Sequence, residues 1–180
     1  MKKSLIALAV LAASGAAMAQ SSVTLYGHAD VNYQWGNNSV FNGTKWSQQS
    51  GGAGGSRIGF RGVEDLGNGL KAGFVIEGGF DVSEGTSDDS TSSLGNRQSF
   101  VSLSGGFGEA RFGKQYTVHD VFAGNFGGGL GTDWGLGATG LAHNGIGGRW
   151  KNTATYISPN YSGFSFTGQV ATKEEASALN

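Results

Sequence analysis

The chain has no cysteine, a single proline and, beyond its first twenty residues, no long apolar run. Without cysteine it cannot use the disulfide staples that hold many small exported domains together, so an extensive hydrogen-bond ladder is the natural substitute. Without about 18 consecutive apolar residues, no later segment can cross a bilayer as a helix. A form that enters a membrane must do so as strands. Excess positive charge is also lacking: the formal net charge is −1, which leaves no electrostatic footprint for nucleic acid.

What is present begins with an address. Lys2 and Lys3, the apolar core from Leu5 to Ala13 and the small residues Ala17 and Ala19 read as a signal peptide over residues 1–19, with the mature chain starting at Gln20. The 34 glycines then sit among aromatic and β-branched residues in alternating runs, which favours strands with tight turns over low-complexity disorder.

Seven segments alternate apolar with polar side chains: 21–35, 56–63, 70–81, 97–104, 109–116, 149–157 and 163–171. In the first, Val23, Leu25, Ala29, Val31, Tyr33 and Trp35 share one face against Thr24, Tyr26, His28, Asp30, Asn32 and Gln34. Within 97–104, Arg97 shares the parity of Val101 and Leu103 while Phe100 opposes it. Arg97 is therefore expected beyond the apolar band, or a bulge to shift the phase. The connections alternate as well: 36–55, 82–96 and 117–148 are long, whereas "EDLGNG", "SGGFGE" and "SPNYSG" are short. This asymmetry is what an outer-membrane barrel shows, with apolar faces to lipid and polar faces to an aqueous interior. The expected fold is thus all-β, a transmembrane antiparallel β-barrel, with Trp35, Phe80, Tyr116 and Trp150 suited to interface girdles. A soluble sandwich, its apolar face packed on a second sheet, is the competing arrangement.

The ordered motifs "SSVTLYGHAD", "GSRIGFRGVEDLGNGLKAGFVIEGGFD", "NRQSFVSLSGGFGEARFGKQY" and "NTATYISPNYSGFSF" cover most of residues 21–170. In these the chain resembles the general porins of Gram-negative outer membranes, of the β-proteobacterial type. The resemblance implies a barrel of sixteen strands, of which about seven are present here, assembled as a homotrimer in outer-membrane lipid. Each subunit would hold a water-filled pore for passive diffusion of small hydrophilic solutes and ions, without cofactor or metal. Family members run to about twice this length, so residues 20–180 are expected to be the N-terminal portion of such a barrel. The family's third long loop, folded into the pore, maps onto 117–148.

Strand parity turns Arg57, Arg61, Lys71, Arg111, Arg149 and Lys151 towards the interior, with Asp30, Glu77 and Asp81 facing the same way. A wall with four arginines concentrates anions, so a weak anion preference is expected. Asp120 and Asp133 on the inserted loop would oppose that charge, while Phe122, Phe126 and Trp134 could anchor the loop to the wall. No catalytic group is expected: the three histidines come without GxSxG, HExxH or paired cysteines. "GGAGGSRIGFRG" has phosphate-loop-like glycine spacing but lacks the strand-to-helix context and the Lys-Ser/Thr ending. His28 near Asp30 keeps an outer-membrane enzyme in view, and a plugged, non-pore structural or adhesive barrel is the other alternative.

Overall fold

The computed structural model describes residues 22–35, 46–88, 93–126 and 148–172, so the signal peptide lies outside the described residues. Among the described residues, ten strands and one helix follow in order: β1 (Ser22–His28), β2 (Val31–Trp35), β3 (Trp46–Ser50), β4 (Arg57–Gly67), β5 (Leu70–Asp81), β6 (Thr86–Ser87), β7 (Gln98–Gly105), β8 (Gly108–Tyr116), α1 (Val118–Phe126), β9 (Arg149–Ile157) and β10 (Thr167–Ala171).

Seven strands pair antiparallel in the order β1-β4-β5-β7-β8-β9-β10, with β6 attached to β5, while β2 and β3 form a separate ladder. The first alternating segment therefore divides at Ala29–Asp30, and the long connection 36–55 contains β3, which the sequence pattern had hidden. β10 is shorter than expected, because Tyr161 and Phe164 close a small turn ahead of it. The β4–β5 turn is Asn68–Gly69, both with positive φ (53° and 78°), the backbone of a two-residue hairpin that only such residues adopt without strain.

Register fixes the two faces. Tyr26, Gly59, Glu77 and Gln98 lie side by side across β1, β4, β5 and β7, so they share one face; Leu25, Phe60, Ile76 and Ser99 share the other. The exposures are the reverse of a soluble sandwich. Val23, Leu25, Val101, Phe112 and Val170 are 55–68% exposed on the apolar face, whereas Glu77, Thr153 and Thr155 on the polar face are buried. No second sheet covers the apolar side among the described residues.

Two strand ends depart from simple alternation. β7 begins at Gln98, so Arg97 falls outside the strand and swings to the polar side. Tyr116 is no girdle residue: its hydroxyl and ring are both engaged by arginines.

Candidate functional site: the polar face of the sheet

Period-2 alternation and the register put Arg57, Arg61, Lys71, Glu77 and Arg111 on the polar face together. Arg57 is half-buried at the rim beside His28, Arg61 is exposed, and Lys71 lies exposed next to the Asn68–Gly69 turn. In β9 the alternation is interrupted at Asn152, whose φ is +54°, with a register shift opposite Gly113 and Gln115. The parity of Thr153 and Thr155 therefore does not extend back to Arg149 and Lys151.

A continuous chain of contacts runs across this face. The Arg61 guanidinium lies 5.5 Å from the Tyr26 ring centre, and the Tyr26 hydroxyl donates to Glu77 Oε2 at 2.9 Å. Arg97 Nε donates to Glu77 Oε1 at 2.9 Å, and its Nη2 donates to the Tyr116 hydroxyl at 2.8 Å. Arg149 stacks over the Tyr116 ring at 4.9 Å. Arg111 lies 5.3 Å above Phe100 and pairs with Glu109 at 2.9 Å.

The Arg97–Glu77 pair is closed off from solvent, with side-chain exposures of 7% and 5%. Burial disfavours the charged guanidinium, but the Glu77 hydrogen bond and the neighbouring Tyr116, Glu77 and Asp88 more than offset it, so its pKa is raised. Beside it, Asn96 acts as a strand substitute: its Oδ1 accepts from Gly79 N at 2.7 Å and its Nδ2 donates to Gly79 O and Asp88 Oδ1. Lys114 Nζ donates to the Asn96 carbonyl. Arg97, Asn96 and Lys114 were not among the expected site residues. The odd parity of Arg97 was the one signal that could have found them.

The acidic residues expected on the wall do other work. Asp30 Oδ2 accepts from Ala53 N at 2.6 Å and Gly54 N at 2.8 Å, so its carboxylate fills the amide nest of the glycine-rich "GGAGGS" strap. Asp81 Oδ1 caps the amides of Ser83 and Glu84. His28 bonds Gly54 and Arg57 instead of an Asp30 carboxylate oxygen.

At the root of the third long connection, Thr117 Oγ1 accepts from Asp120 N at 3.1 Å and caps α1. Gly148 N donates to Asp120 Oδ1 at 3.2 Å, and Thr117 N donates to Gly148 O at 3.0 Å, which draws the two ends of the connection together. Gln169 ties this neck to the polar face: its Nε2 donates to Thr155 Oγ1 and the Tyr116 carbonyl, while its Oε1 accepts from Val118 N. Phe122 is exposed on α1, and Phe126 is the last residue of that helix. Asp133 and Trp134 lie outside the described residues.

The family model of the Gram-negative porins matches residues 5–180. The chain belongs to the Gram-negative porin family. It is 48% identical over 178 residues to outer membrane porin protein 32 of Delftia acidovorans, covering 91% of this porin chain and 48% of that protein. Major outer membrane protein P.IB of Neisseria gonorrhoeae is 38% identical over 188 residues, covering 98% of this chain and 50% of that one. Among solved structures, the anion-selective porin from Comamonas acidovorans superposes with a TM-score of 0.56 at 33% identity, over 84% of this chain and 47% of that one. The trimer form of OmpT from Vibrio cholerae superposes with a TM-score of 0.60 at 18% identity, covering 87% and 43%, a likeness of fold alone. The porin chain spans about half the length of the curated relatives it matches. Its exposed apolar face and covered polar face are those of part of a transmembrane antiparallel β-barrel in a Gram-negative outer membrane.

Proposed function

We propose that this chain forms part of a water-filled channel for passive diffusion of small hydrophilic solutes and ions, with a weak preference for anions. In its closed form the barrel sits in outer-membrane lipid as a homotrimer. The observation that carries this reading is the inverted sheet, whose arginine-bearing polar face stands opposite an exposed apolar one. The charge balance supports the sign. Glu77 is paired with Arg97 and Glu109 with Arg111, whereas Arg61 on the same face lies over the Tyr26 ring and has no carboxylate partner among the described residues. Support also comes from the structural relative described as anion-selective. The neck at Thr117 and Gly148, tied to Gln169, favours the 117–148 connection as the element that narrows the channel, with Asp120, Asp133, Phe122, Phe126 and Trp134 on it.

The test is single-channel recording of the mature chain refolded in lipid, alone and with a polypeptide supplying the remaining strands. Stepwise currents from the closed assembly, with a reversal potential that shows anion preference, are the expected result. Silence from both preparations would move the assignment to a plugged structural barrel, and cation preference would overturn the selectivity.

A further inference from the structure

At the rim of the polar face, His28 lies between two partners. Its Nε2 is 3.2 Å from the Gly54 carbonyl oxygen, an acceptor only, so Nε2 carries the proton of the neutral ring. Nδ1 is then the lone-pair nitrogen, and Arg57 Nε donates to it at 3.4 Å. Both side chains meet at the glycine strap: a Cβ at Gly54 would lie in ordinary contact with His28 Nε2 at 3.4 Å and Arg57 Nη2 at 3.6 Å.

We infer that His28 is a positioning residue for Arg57 and a proton-operated switch on the charge of the polar face. The neutral imidazole holds the guanidinium back against β1 and the strap. Protonation puts a hydrogen on Nδ1, which can then no longer accept from Arg57 Nε, and it sets a cation beside a cation. Acid therefore adds one positive charge and releases a second from its anchor.

Other charged groups stand near His28. Asp30, in the β1–β2 connection, interacts electrostatically with it, although the Asp30 carboxylate is already held by the Ala53 and Gly54 amides. Arg57 on β4 meets Nδ1. Arg97 reaches the strap from the connection before β7, with Nη1 at 3.1 Å from the Cβ position of Gly55, but Glu77 on β5 and Asp88 pair with it. Arg57 is thus the cation that meets the imidazolium most directly.

The consequence for conduction rests on the reading that this face lines an aqueous channel, so the test has two separable readouts. The first needs a folded sheet and no pore: nuclear magnetic resonance of the ¹⁵N-labelled chain in detergent micelles, following the His28 ring and the Arg57 Nε–H signal through a pH titration. The two should shift with one midpoint, and the Arg57 shift should vanish in His28→Gln. An Arg57 signal that ignores the His28 titration would overturn the switch. The second readout is the anion-to-cation permeability ratio of the closed channel, which should rise as pH falls through that midpoint and stay flat in His28→Gln. Coupled titration without currents would leave the switch standing and sink the channel reading instead.

Discussion

Tyr26 reaches Glu77 only by lying across Gly59, where an added Cβ would come within 2.8 Å of the phenol ring and hydroxyl. A Gly59→Leu side chain must displace that ring, so the hydrogen bond breaks and stability falls by about 1–3 kcal/mol, measurable as a lower urea midpoint with no change in strand content. The Arg97–Glu77 pair gives a sharper prediction. Removing one partner strands a buried charge, so Arg97→Met should cost about 3 kcal/mol or more, whereas the double substitution with Glu77→Gln should recover much of the loss. A double-mutant cycle by denaturant unfolding checks this, and equal losses in the single and double variants would contradict the pairing. Parity alone predicted that Arg97 could not stay in phase with Val101 and Leu103. It could not reveal the carboxylates and phenol that receive it, because Glu77, Asp88 and Tyr116 come from elsewhere in the chain.

At the scale of elements, the strands were legible wherever apolar side chains alternate, as in β5 and β8, and illegible where they do not. β3 reads "WSQQS", polar throughout after Trp46, and is a strand because it pairs with β2 from Val31↔Ser50 to Trp35↔Trp46. Tertiary pairing outweighed local pattern there. The helix α1 was hidden in the same way within a glycine-rich connection, and its start depends on the Thr117 cap and the Gln169 tether. Thr117→Ala should destabilise the first turn by about 1 kcal/mol, and Gln169→Ala should free the Val118 amide. Hydrogen exchange at Val118 and Asp120 should therefore accelerate in both variants while β8 and β9 keep their protection.

For the whole molecule, the direction of the sheet matters as much as its content. Among the described residues, the seven antiparallel strands leave β1 and β10 running the same way, so joining these edges, within one copy or between two copies inserted alike, would create a parallel pair. An all-antiparallel barrel built on this sheet needs an odd number of further strands. The orientation of the two faces decides everything built on it. Val101→Arg, on the apolar face, should cost about 2–4 kcal/mol near the bilayer midplane, while Ser102→Arg on the polar face should be tolerated; unfolding in lipid vesicles compares them. The lack of native cysteine makes a still more direct measurement possible, with single spin labels placed in turn at residues 101, 103 and 112 and at 102 and 111 in the lipid-refolded chain. The account predicts that the first set is quenched by oxygen dissolved in the bilayer and the second by a water-soluble nickel complex, alternating residue by residue along β7 and β8. Equal access of the nickel complex to both sets would contradict it.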